Sequence, residues 1–393
     1  MIEIALQKTE RLPKPAIPYL VVVLELVAAV LMGLGLVSVG MGGAAWILGG
    51  IAAGALVVAT LQPLVDQPLQ PNRNARKIGQ MIIGLAIGLS LHPDTLDRLT
   101  TQFALFIGLP LFLMAAGVAI GLLYSRLEQL DILSAILATT PGNIGVMVSI
   151  AADYSKSTAL VSLVQLIRFT SVILIVPLVA NVSMAHPIDV ALSVLIQRLF
   201  AVSWQDLGIS CFMITIAAIA VYLGGKARVP MAAFLCAIGV GLLFDLLPLA
   251  LPTTTLVDFK LPPLFNLVGQ MLLGITIGEY WGISPRLNLA TVARSVVPVA
   301  LMFVGSAIAA GLIKLFTAWN WLTCLLIAAP GGSPEMIWIA LTLHQDTAIV
   351  TTGHIVRLLA INLSLPLLVS LGCYLETRLS PTATLPTDSI QEI

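Results

Sequence analysis

Charge is scarce in this chain. Of its 393 residues 10% are Asp, Glu, Lys or Arg, against roughly a quarter in a soluble domain. Hydrophobic residues make up 59%, and the mean hydropathy is +1.03. That excludes an ordinary water-exposed surface. The net charge is zero and no basic cluster is longer than "RNARK", so there is no electrostatic footprint for nucleic acid. His92, His186, His344 and His354 form no HExxH or zinc spacing. Cys211, Cys236, Cys324 and Cys373 stand singly in apolar runs and are expected to be buried, inert thiols. Walker loops and dinucleotide fingerprints are missing too. No metal, cofactor or enzymatic chemistry is expected.

What is present is a series of long apolar runs. About 20 apolar residues cross a hydrocarbon core of roughly 30 Å as a helix, whereas a barrel would alternate over about ten residues per strand. Helical runs are expected near 17–40, 43–63, 78–91, 99–124, 132–152 and 158–183. A second series follows near 207–224, 229–251, 262–282, 291–317, 320–340 and 347–374. The run at 78–91 is short, so its helix should begin earlier, after Asn72. Lys8, Arg11 and Lys14 precede the first run as in a signal peptide, but that run is a full span and is expected to be retained. The fold class is therefore an all-α polytopic membrane protein.

The chain also repeats itself. "GQMIIGLAIG" (79–88) returns as "GQMLLGITIG" (269–278), and "PGNIGVM" (141–147) returns as "PGGSPEM" (330–336). From there the register holds, Arg168 falling on Arg357 and Pro177 on Pro366, with 12 of 38 positions identical between 141–178 and 330–367. This divides the chain into a first unit (1–185), a linker with an interfacial helix (186–206), a second unit (207–377) and a disordered tail (378–393). Two copies of one unit are typical of secondary transporters.

Lys and Arg placement tests how the copies are oriented, since cytoplasmic loops carry the excess. If every run crosses, the 17 loop and terminal residues divide 11 inside and 6 outside. If each Pro-Gly run is instead a re-entrant hairpin, each unit has five spans, the units are inverted, and the division is 13 to 4. The inverted arrangement fits better and puts the N-terminus in the cytoplasm.

"TTPGNIG" and "AAPGGSP" break their helices at equivalent places. Irregular backbone at membrane depth is tolerated only inside protein or along a wet cavity, so Gly142, Asn143, Gly331, Gly332 and Ser333 are candidate substrate-binding residues. A half-helix starting after a break would aim free N–H groups at an anion. Arg168 and Arg357 lie about ten residues into their helices, roughly 15 Å deep. An arginine there costs at least about 2.5 kcal/mol, so it should bind something or pair with Glu335, Asp346 or Glu25. Gln165 and His354, three residues before each arginine, share its helix face. Glu335 and Asp346 replace Val146 and Ser157 of the first unit, concentrating acidity in the second. With Glu25, buried in the first run and able to pair with an arginine or carry a proton, they are the candidate coupling residues. Gln80 and Gln270 either line the cavity or only pack among glycines.

PGG-x-x-EM, an aspartate, Gln/His-x-x-Arg and then Pro, traced twice, resembles the AbrB-duplication membrane protein family. Its members are often labelled ammonia monooxygenase or AbrB family transcriptional regulator. The first unit departs from the pattern at Val146 and Ser157. The resemblance implies a multi-pass protein of the bacterial inner membrane. The reading is a secondary transporter of a small organic anion or zwitterion, driven by H+ or Na+. The alternative is a membrane ligand sensor or regulator of gene expression that transports nothing. Lipid bilayer and a small molecule are the expected partners, nucleic acid is not one, and self-association stays open.

Overall fold

Helices form wherever the long apolar runs predict them, and no strand occurs among the described residues. The computed structural model describes residues 17–39, 41, 44–65, 69–91, 102–142, 144–154, 157–183, 202–250, 259–283 and 289–379. The first seven helices are α1 (Ile17–Ser38), α2 (Ala45–Leu61), α3 (Arg73–Gly88), α4 (Phe103–Glu128), α5 (Ile132–Thr139), α6 (Ile144–Tyr154) and α7 (Thr158–Ser183). Seven more follow: α8 (Trp204–Lys226), α9 (Ala232–Ala250), α10 (Pro263–Ile283), α11 (Leu289–Phe316), α12 (Trp321–Ala328), α13 (Ser333–Thr342) and α14 (Thr347–Leu379). Corresponding helices start 186 (103 to 289) to 190 (73 to 263) residues apart, so the sequence repeat is also a repeat of elements.

Two expected runs are each split in two. The run at 132–152 becomes α5 and α6, and the run at 320–340 becomes α12 and α13, each pair separated at its Pro-Gly stretch. α3 starts at Arg73, where the Asn72 side chain accepts from the N–H groups of Asn74 and Ala75. This N-cap is what lengthens the short apolar run. The proposed interfacial helix of the linker and the tail after residue 379 lie outside the described residues. α8 begins slightly before the expected boundary because Ser203 caps it through the N–H of Asp206.

Among the described residues seven helices are long and apolar enough to cross a membrane by themselves, and the chain is a multi-pass membrane protein. Its outer face is greasy in helical stripes: Val23, Val27 and Leu31 on α1, and Leu359, Leu363, Leu367 and Leu371 on α14, are all exposed. Polar groups such as Gln165, Arg168, His354 and Arg357 are buried instead, as expected where the surrounding solvent is lipid. The cysteines only partly follow expectation. Cys324 is buried, but Cys211 and Cys373 lie exposed on α8 and α14, because a thiol on a lipid-facing stripe needs no burial.

The "GQM…G…G" motif explains the central packing. A Cβ on Gly79 would meet the carbonyl of Gly269 at 3.0 Å, so α3 and α10 cross at their matching glycines. Each then packs on the other unit's second helix. Gly274 and Gly278 of α10 approach the carbonyls of Ile47 and Ile51 on α2, and Gly84 and Gly88 of α3 approach those of Phe234 and Ile238 on α9. Small residues spaced by four let backbones meet this closely, and van der Waals contact then holds the helices together.

Candidate functional site

Where a helix breaks, the last carbonyls of its first half have no partner within the helix. In the first unit Gln165 and Arg168, one turn apart on α7, supply the partners. Gln165 Nε2 donates to the carbonyls of Leu137 (2.7 Å), Ala138 (3.2 Å) and Thr140 (3.0 Å). Arg168 donates to those of Thr140 (3.4 Å) and Gly142 (3.1 Å).

The second unit repeats this. His354 Nε2 bonds the Leu326 carbonyl at 3.0 Å. Arg357 donates to the carbonyls of Ala329 (2.6 Å) and Gly331 (3.0 Å), and to His354 Nδ1 at 2.8 Å. Adding 189 to Leu137, Thr140 and Gly142 gives Leu326, Ala329 and Gly331, so the same carbonyls are met in both units. The network also settles the imidazole. Nε2 carries the hydrogen toward Leu326, and Nδ1, facing an Arg357 N–H, is the acceptor.

Neither mid-helix arginine therefore holds an acidic counterion among the described residues; both spend their donors on the carbonyls of the breaks. Each guanidinium fixes the C-terminal end of a half-helix, where a cation is favoured by the backbone dipole. The carbonyls and the buried cation partner one another, although Arg168 Nε stays buried without a partner. Glu335, Asp346 and Glu25 form no ion pair with either arginine among the described residues.

The two breaks nevertheless converge on one narrow cavity of about 50 Å³, bordered by Pro141 and Gly142 from the first and Gly331, Gly332 and Ser333 from the second. That volume holds a few waters at most. Arg357 and Glu335 reach it, as does Arg76 from α3. Glu335 is buried and one of its carboxylate oxygens has no hydrogen-bond partner. That oxygen lies over Gly332, where a Cβ would stand 2.1 Å from it and 2.2 Å from the ring of Phe169. Gly332 thus allows the carboxylate and an α7 ring of the other unit to close on the break.

The remaining predicted residues lie elsewhere. Gln165, Arg168 and His354 sit behind the breaks rather than on the cavity wall. Asp346 is exposed and caps α14 through the N–H of Ile349 at 3.1 Å, and Ser157 stands at the equivalent start of α7, its carbonyl bonded by Leu160 and Val161. Neither side chain is brought to Arg357 or Arg168. Asn143 falls outside the described residues. Gln80 and Gln270 are buried but border a different part of the core. Glu25 lies in the first half of α1, wholly buried, near Glu279 of α10. Sequence reasoning missed two groups. Arg76 lies within "RNARK", where nothing in the sequence sets it apart from Arg73 and Lys77. Glu279 follows the repeated "GQMLLGITIG" at once, where the first copy has Leu89, and that one acidic mismatch in an apolar repeat was the available signal.

Comparison with known proteins agrees with this architecture. The chain is 25% identical over 336 residues to "Uncharacterized protein YhjN" of Bacillus subtilis (strain 168), covering 82% of this chain and 85% of that protein. It is 23% identical over 344 residues to "Putative regulator AbrB" of Escherichia coli (strain K12), covering 86% and 93% respectively. Residues 46–372 match the family described as "Transition state regulatory protein AbrB". That match takes in every helix from α2 through both broken pairs and most of α14, and the chain belongs to the AbrB family.

Proposed function

We propose that this protein is a secondary carrier, not an enzyme, that moves a small zwitterion or organic anion across a bacterial inner membrane by alternating access, with its units inverted and its N-terminus in the cytoplasm. The observation that carries the reading is the meeting of two broken helices, one from each unit, at a shared cavity. In transporter folds a site between repeats can change its exposure when one repeat rocks against the other. The cavity offers cations from Arg76 and Arg357 and an unpartnered oxygen from Glu335. The N-terminus of α13 already has that carboxylate beside it, whereas Val146 occupies the matching position in α6. A carboxylate ligand thus suits the α6 side and an ammonium suits Glu335, which favours a zwitterion over a plain anion.

The test is counterflow. A thermal-shift screen of amino acids and small organic acids selects solutes that stabilise the purified protein, and the labelled solute is then offered to loaded and unloaded proteoliposomes. Uptake into loaded vesicles alone is expected. Tight binding without exchange would instead favour the sensor or regulator reading, in keeping with the name of the Escherichia coli relative.

A further inference from the structure

A second buried polar site lies away from the broken helices, where α1, α2 and the end of α10 pack together. Glu25 has no exposed surface, and neither of its carboxylate oxygens has a hydrogen-bond partner. Glu279, 3% exposed, is close enough for the two charges to act on each other. Its carboxylate accepts the backbone N–H of Asn72 at 2.8 Å. No cation among the described residues is beside them. α2 contributes no titratable residue, α1 brings no other charge, α10 adds only Tyr280, and on the first turn of α3 Arg73 and Lys77 are exposed while Arg76 borders the cavity.

Packing does not require these acids. The glycine-mediated seam between α2 and α10 is repeated between α9 and α3, and there the position of Glu279 is held by Leu89, buried in an apolar cluster. Two buried carboxyls that act on each other repel when both are ionised, and one added positive charge relieves this. A proton supplies that charge without needing any further ligand.

We infer that Glu25 and Glu279 form a proton-binding site that communicates with the cavity through the first turn of α3. Asn72, the cap of that helix, is bonded to Glu279, and Arg76, one turn on, borders the cavity and acts electrostatically on Glu335. Binding or loss of a proton changes the strength with which Glu279 holds the Asn72 N–H, and Arg76 moves with the turn that Asn72 begins. This extends the carrier reading by naming its coupling ion, but the site stands on its own geometry.

The experiment uses the full chain in liposomes without added solute, so it can succeed or fail independently of transport. Infrared difference spectra between acidic and alkaline buffer are expected to show a carboxylic-acid C=O band that is lost in Glu25→Gln and shifted in Glu279→Leu. The leucine is the residue found at the twin position, which preserves packing. In a background cleared of native cysteines, an environment-sensitive fluorophore on Lys77→Cys should follow the same pH midpoint and lose that response in Glu279→Leu. A wild-type spectrum without the band, or a band that both variants leave unchanged, overturns the proton site. A fluorophore response that persists in Glu279→Leu overturns its link to the cavity.

Discussion

At Thr140 to Gly142 and again at Ala329 to Gly331, an arginine one helix away binds matching carbonyls, yet the half-helix after the first break carries Val146 where the second carries Glu335. The bonding that holds each break open is common to both units, and the acidic chemistry belongs to one. What was kept in both copies is what the backbone needs in hydrocarbon. What differs is free to serve a ligand, because nothing in the twin site depends on it.

The largest effect should come from breaking what the units share. Arg168→Gln and Arg357→Gln each leave one buried and one part-buried carbonyl without their charged donor. At about 1.5–3 kcal/mol for a bond to a charged group, either change should cost about 3 kcal/mol or more. Both variants should therefore fall in thermal stability and in yield of folded protein by comparable amounts. A variant of Arg357 that folds normally while losing only ligand binding would show that its bonds to Ala329 and Gly331 are incidental.

A somewhat smaller loss is expected at the crossing helices. A Cβ on Gly278 would stand 2.1 Å from the Ile51 carbonyl, and one on Gly88 would stand 2.3 Å from that of Ile238. Because the obstacle is backbone, the helices must move apart, so Gly278→Ala and Gly88→Ala should each cost about 1–3 kcal/mol. Gly311, with nothing within 4 Å, is the control: Gly311→Ala should be neutral or slightly stabilising in the same melting assay, since alanine favours helix.

The scaffold was largely legible before the structure. Apolar run lengths predicted the helices, the doubled "GQM…G…G" and Pro-Gly stretches anticipated the repeat of helices, and Asn72 marked the start of α3. The site was legible only by type. Spacing put Gln165 beside Arg168 and His354 beside Arg357 on one face, but periodicity does not say what that face meets. A buried arginine needs a partner, and acidic side chains were the obvious candidates, whereas the breaks themselves expose carbonyls that serve as well. Asp346 shows the same limit. It shares an azimuth with Arg357 but stands three turns away, where the helix start claims it as a cap. Glu279 and Arg76 depend on contacts between segments some 200 positions apart, as in the bond from Asn72 to Glu279, and no local pattern encodes those.

Removing the difference between the units should change selectivity more than stability. Glu335→Val makes the second break like the first and takes away the cavity's carboxylate. Losing a charged hydrogen bond worth about 1.5–3 kcal/mol corresponds to roughly a tenfold to hundredfold weaker interaction. Zwitterionic amino acids should lose that much affinity in a binding titration, while acids without an amino group lose little. Equal losses for both classes would mean that Glu335 does not face an ammonium.

The smallest effect is expected from His354→Gln, which sharpens the comparison most. Gln165 caps the first break through Nε2, and at position 354 a glutamine amide can make the equivalent bond to the Leu326 carbonyl. Its Oε1 can also receive the Arg357 N–H that His354 Nδ1 now accepts. In the first unit the matching Gln165 Oε1 is buried without a partner, so the exchange would place a glutamine in a better satisfied setting than its own twin. The loss of stability should stay below about 1 kcal/mol, the net value of a single neutral hydrogen bond. A histidine kept only as an Nε2 donor and Nδ1 acceptor has no proton to gain or lose, so any pH dependence of uptake should survive the change intact. His354→Leu keeps bulk but removes both bonds, and should cost clearly more in the same melt. If His354→Gln instead abolishes the pH dependence, the imidazole is titrating during the cycle, and its place as a cap of the broken helix is only one of two states.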